Sequence, residues 1–140
     1  MPRITRFFIR SALVCVVLGL LLSVLVVARE ALSLPALFGF LQPAALHLLV
    51  VGFLTQMVFG VALWMFPRAK GRPSETGVTG WMVFACLQAG LVLRVVAEPI
   101  ADANWPPSPG VAGALVASAL LQWMASAGFV LLAWPRVRGK

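Results

Sequence analysis

Residues Ala44–Arg68 read AALHLLVVGFLTQMVFGVALWMFPR, and this stretch decides the fold. No residue from Ala44 to Phe66 carries a formal charge at neutral pH. About 20 apolar residues suffice to carry a helix across a hydrocarbon core roughly 30 Å thick, so the run reads as a transmembrane helix. Pro67 ends it, because proline cannot donate the next helical hydrogen bond, and Arg68 follows at once. His47, the only histidine in the chain, lies one turn inside the other end. Gly52, Gln56 and Gly60 recur every four residues and fall on one helical face. A helix surrounded by lipid alone would have no use for such a stripe.

The rest of the chain belongs to the same class. Of 140 residues 61% are hydrophobic and 11% charged, and the mean hydropathy is +1.00. That leaves room for one membrane domain over residues 1–140 and none for a soluble one. The formal charge of +7 would point to nucleic acid in a soluble protein. Here the positive residues stand at the ends of apolar runs, which is an orientation signal, and nucleic acid is not an expected partner.

Arg3, Arg6 and Arg10 precede an apolar run from Ser11 to Ala28. Its length exceeds the roughly 7–15 residues of a signal-peptide core, and the expectation is a retained first helix. From Arg29 to Pro43 the chain is too broken by proline to span, yet Leu37, Phe38, Phe40 and Leu41 are too apolar for free solution; an interfacial segment fits. The second span covers Ala44 to Phe66, and the polar loop from Pro67 to Gly80 follows. Trp81 to Ala97 forms the third span, and Glu98 to Pro109 the next connection. The fourth runs from Gly110 to Trp134. The expected architecture is all-α: an integral membrane four-helix up-down bundle with spans at about 11–28, 44–66, 81–97 and 110–134.

Lys and Arg are divided unevenly between the two sides. The N-terminus, the second loop and the C-terminus hold three each, and the other side holds Arg29 alone. The positive-inside rule then puts both termini in the cytoplasm of a multi-pass protein of a bacterial inner membrane, with His47 near the outer surface of the bilayer. Helix four repeats small residues at Gly110, Ala114, Ala117, Ser118, Ala125 and Gly128, with Gln122 on the same side. Small faces are the usual association surfaces between helices in lipid, within one chain or between chains, so a homo-oligomer is expected beside the bilayer as partner. Cys15 and Cys86 lie in spans toward the reducing side and give no structural disulfide.

Three features exceed what bundle packing needs: His47, Arg94 with Glu98, and the group Gly52, Thr55, Gln56 and Gly60. An ionisable residue within a span is costly and faces a partner or a cavity. Arg94 lies three residues before the end of its span and His47 three after the start of its own, so both sit about 5 Å inside one boundary. They can share a site. A neutral imidazole is a good iron ligand and a guanidinium pairs with carboxylates, and haem calls for both, iron on a nitrogen and propionates beside a base. The plainer alternatives stand next to these. His47 would be a polar residue at the membrane boundary, Arg94 would snorkel or pair with Glu98 at i+4, Gly52 and Gly60 would be packing positions, and Gln56 and Gln122 would bond between helices.

The run from His47 through Gly52, Thr55, Gln56 and Gly60 to Phe66-Pro67-Arg68 resembles the second helix of subunit I in the haem-copper oxidase and nitric-oxide reductase superfamily. The resemblance covers about 25 residues and implies that His47 is an axial ligand of haem b near the outer surface. Arg94 would then hold a propionate, with Gly52, Gln56 and Gly60 lining or supporting the haem site. The family's catalytic subunit has about twelve helices and several histidines. A chain with one histidine cannot build the binuclear centre, so oxygen reduction is excluded, no catalytic residue is assigned and no enzyme label is justified. The expected function is electron transfer or binding of a diatomic gas (NO or O2). The alternative is a membrane subunit or assembly factor of a respiratory complex, without its own cofactor.

Overall fold

The computed structural model describes residues 2–29, 31–66 and 77–137. Four helices, α1 (Arg3–Ala28), α2 (Ala36–Met65), α3 (Val78–Ala103) and α4 (Pro109–Val137), are each long and apolar enough to cross a membrane, and no strand occurs among the described residues. At about 1.5 Å per residue, the shortest of them spans nearly 40 Å. Exposed Leu13, Val14, Val17, Leu21 and Val24 give α1 a flank that only hydrocarbon would solvate well. The polar connection expected after Phe66 lies outside the described residues as far as residue 76, as do Arg138 and Lys140.

Three of the expected boundaries move, the first being the start of α1, which lies at Arg3 and not at Ser11. The third helix does not stop at Ala97 but continues through Glu98 and Pro99 to Ala103. Proline forfeits one i→i−4 hydrogen bond but does not force the chain out of helical φ, and Glu98 is held to Arg94 one turn back. The second helix begins at Ala36, with a 3₁₀ stretch, Ala36–Leu41, feeding an α-helical turn, Gln42–His47. A π-helical segment, Leu48–Thr55, follows directly, and regular α-helix resumes over Gln56–Met65. Thr55 Oγ1 donates to the carbonyl of Val50, five residues back, at 3.0 Å.

The main core lies where α1, α2, α3 and α4 all meet, around Ile4, Phe8, Phe59, Leu63, Val83, Leu87 and Ala125. Phe59 stacks on Phe129 of α4 with centroids 3.8 Å apart, and Phe8 meets Phe84 edge to face at 5.0 Å. Closer to His47, Cys15, Leu48 and Leu91 form a smaller cluster. Helices α3 and α4 touch closely at Gly90. A Cβ there would stand 3.0 Å from the Ser118 carbonyl oxygen and 2.9 Å from Gln122 Cγ. The absence of a side chain lets Ser118 Oγ donate to the Gly90 carbonyl at 2.8 Å.

Helix α4 joins α2 at one end only. Phe59 and Leu63 meet it, and buried Arg136 donates through Nη1 to the Leu63 carbonyl at 3.3 Å. No Cα of Ala36–Thr55 lies within 8 Å of α4. Before Gln56, toward the end that carries His47, the two helices diverge and leave an opening over α3.

Candidate functional site

Rotation along α2 decides which way His47 faces. An i→i+5 turn takes about one residue more than an i→i+4 turn, so eight π-helical residues lag a regular helix by more than one residue's ~100° of rotation. His47 and Gln56 are nine residues apart and would stand on opposite sides of a plain helix. With Leu48–Thr55 widened, His47 is brought round to α3 while Gln56 also reaches α3.

His47 Nδ1 lies 3.0 Å from the Pro43 carbonyl oxygen, one turn back in its own helix, and 3.0 Å from Glu98 Oε2 on α3. Glu98 Oε1 lies 2.9 Å from Arg94 Nε. The guanidinium extends further, and Nη1 donates to the Leu115 carbonyl of α4 at 3.4 Å. An imidazole, a carboxylate and a guanidinium therefore cross from α2 over α3 to α4 in one line. The Glu98 contacts on either side are close but off the hydrogen-bond axis, so charge proximity holds the carboxylate while the Pro43 carbonyl takes the better-aligned bond. In the neutral ring both acceptors favour the proton on Nδ1, which makes Nε2 the nitrogen with a lone pair. His47 borders a shallow cleft of about 210 Å³ with Leu46, Val50 and Val51.

The other residues singled out from the sequence are placed elsewhere on α2. Gly52 is buried where a Cβ would lie 2.9 Å from Cys15 Sγ and 3.0 Å from Leu91 Cδ2, and Gly60 faces Phe8, with its Cβ position 3.1 Å from Phe8 Cβ. Fully buried Gln56 accepts from Ser11 Oγ and donates to Gln88 Oε1 at 2.7 Å. These three do share one face, and α1 covers it. The structure brings His47, Arg94 and Glu98 together and sets Gly52, Gln56 and Gly60 in helix contacts one or more turns away.

Sequence reasoning missed the bond from His47 to its own Pro43 carbonyl and the contact of His47 with Glu98. Pro43 four residues before His47 was a usable signal, since an i−4 carbonyl is within reach of a helical side chain. Nothing in LLVVGFLT announces a π-helix. No group of three or more His, Cys, Asp or Glu able to hold a metal ion occurs among the described residues. Cys15 and Cys86 are both free thiols.

No curated protein and no solved structure matches this chain. One family does: the NnrS protein family, over residues 3–136. That match takes in all four helices and the whole line from His47 to Arg94, and the chain belongs to the NnrS family.

Proposed function

We propose that this chain is a membrane-embedded b-type haem protein serving electron transfer or the binding of a diatomic gas, with His47 as an axial ligand. The observation that supports this reading is Nδ1 held by the Pro43 carbonyl beside the Glu98 carboxylate, which leaves the Nε2 lone pair able to coordinate iron. A metal-ligating histidine characteristically gives its other N–H to a carbonyl or carboxylate, which fixes the ring and raises its basicity. One histidine is enough because the macrocycle brings four nitrogens of its own, so the lack of a three-residue metal cluster does not weigh against it. When bound, the group would supply an iron able to change oxidation state or to take NO or O2. Arg94 would face a propionate, and the helix contacts at Gly52, Gln56 and Gly60 would keep His47 in register. The likeness of His47–Arg68 to an oxidase helix and the nitric-oxide-related role hinted at by NnrS membership support the same reading.

A cleft of about 210 Å³ is smaller than the roughly 300–1,000 Å³ of an enclosing ligand pocket. One chain thus offers one wall, and a second copy would supply the other in a homo-oligomer, with two His47 rings sharing an iron or one ring leaving the sixth position open. The count of positive residues on each side supports cytoplasmic termini in a bacterial inner membrane and a site toward the outer face. A cofactor-free subunit of a respiratory complex is the second reading. It is favoured by α4, of whose most apolar 18-residue window only 11% is buried, against 33% for α2 and α3.

The test is an absorption spectrum of the purified chain, oxidised and dithionite-reduced, from cells given ample haem. A Soret band that His47→Ala abolishes supports haem ligation; sharp reduced α and β bands mark two axial ligands, and bands that move with CO or NO mark an open one. A featureless spectrum from a folded preparation refutes the haem reading and favours the subunit.

A further inference from the structure

At the end of the bundle away from His47, α1 carries Arg3, Arg6 and Arg10, all exposed. None of their guanidiniums has a hydrogen bond or ion pair among the described residues. Spacings of three, four and seven residues set the three arginines on one helical face, and the same stripe continues through exposed Leu13, Val14 and Val17. Exposed Phe7 lies between the arginines and meets exposed Trp81 of α3 edge to face at 5.1 Å.

Depth gives this pattern its meaning. Arg3 and Arg10 are about 10 Å apart along the axis, whereas a bilayer's headgroup layer is only some 5–8 Å thick on each side. Arg10 therefore sits at the hydrocarbon edge, one turn from Arg6, and like charges at i and i+4 repel. A phosphate between the two guanidiniums turns that repulsion into attraction on both sides, since the planar fork of arginine matches phosphate oxygens. Below it the stripe turns wholly apolar, which suits an acyl chain and not a free anion. Trp81 and Phe7 form an aromatic edge of the kind found at headgroup level.

We propose that Arg6 and Arg10, flanked by Phe7 and Trp81, form a binding site for one anionic diacyl glycerophospholipid, its phosphodiester between the guanidiniums and an acyl chain along Leu13, Val14 and Val17. The site is independent of the haem reading and lies at the opposite end of the bundle. Its chemistry selects net negative headgroups. In a choline lipid the quaternary ammonium cancels the phosphate charge, so the pair of arginines gains little from it.

Native mass spectrometry of the full chain in detergent tests this with dioleoylphosphatidylglycerol and dioleoylphosphatidylcholine. The expected result is one retained phosphatidylglycerol, preferred over phosphatidylcholine by about thirtyfold, roughly fivefold for each arginine. Arg6→Gln/Arg10→Gln should abolish the preference, and Arg138→Gln/Lys140→Gln, which removes as much charge, should keep it. If the double variant does not fold, Arg6→Gln and Arg10→Gln singly decide the matter, each expected to lower the preference about fivefold. Three results overturn the proposal: an unchanged preference in the arginine variants, an equal loss in the C-terminal control, or displacement of the lipid by equimolar glycerol 3-phosphate, which would mark an anion site without lipid character.

Discussion

Replacing Glu98 with glutamine keeps the side chain's size and removes the charge that stands between His47 and Arg94. Side chains of His47, Arg94 and Glu98 are 26%, 27% and 13% exposed, so the group is neither in water nor sealed from it. Breaking a fully buried ion pair costs about 3–5 kcal/mol, and an exposed pair contributes at most about 1 kcal/mol. Arg94 also keeps its bond to the Leu115 carbonyl. The loss of fold stability in Glu98→Gln should therefore lie near 1–2 kcal/mol, readable as a lower unfolding midpoint in micelles. On the haem reading, removing a metal ligand's outer partner weakens the metal about 10–100-fold. The Pro43 carbonyl still holds Nδ1, which puts the expected loss of haem affinity close to tenfold, or about 1.4 kcal/mol. The chain's single histidine gives a direct assay. In untagged apoprotein labelled with [15N]histidine, the nitrogen shifts of one ring report its tautomer. The Nδ1-protonated form should dominate in the wild type and lose population in Glu98→Gln. A wild-type ring protonated on Nε2, or a variant with unchanged tautomer and unchanged haem affinity, would refute the reasoning.

Three further outcomes test the helix packing around this line. At Gly90 an added methyl meets backbone atoms of α4, which cannot rotate away, so Gly90→Ala should destabilise by about 1–2 kcal/mol even after the gain in helix propensity. At Gly113, where no atom lies within 4 Å, the same change should be neutral or stabilising by up to about 1 kcal/mol, and denaturation in micelles would show the opposite signs. Gln56→Ala should cost about 1–3 kcal/mol in the same assay, because it opens a cavity at a fully buried position and takes a bond from each of the half-buried partners Ser11 and Gln88.

Hydrophobic length made the four spans legible, since a run such as Ala44 to Phe66 has few ways to fold outside lipid. The shared depth of His47 and Arg94 was also readable, because rise per residue converts position into height. Rotation about the helix axis was not. It depends on the π-helical stretch, whose residues differ in no local preference from those of an ordinary apolar helix, and so the meeting of His47 with Glu98 could not be placed. The end of α3 was misplaced because Pro99 reads as a terminator, whereas helix packing kept Pro99 and Ala101 buried and the backbone helical. The stripe Gly52, Gln56 and Gly60 was correctly seen as one face, but a stripe does not name what lies against it. Here that is Cys15, Ser11 and Phe8 of α1.

The widened stretch in α2 makes the site depend on the pitch of the helix as well as on residue identity. Deleting one residue within Leu48–Thr55 would remove no functional side chain and would shorten an already apolar run by one apolar position. The helix after Gln56 is pinned by the core, and eight regular steps of ~100° turn the chain about as far as nine steps through the wide turns, so such a deletion would leave His47 toward Glu98, whereas closing the wide turns at full length would swing it away by roughly 100° or more. The spacing between His47 and Gln56 thus works like a gear setting: the wide turns take up about one residue, and a change that returns the segment to regular helix at full length is the one that turns His47 away from α3.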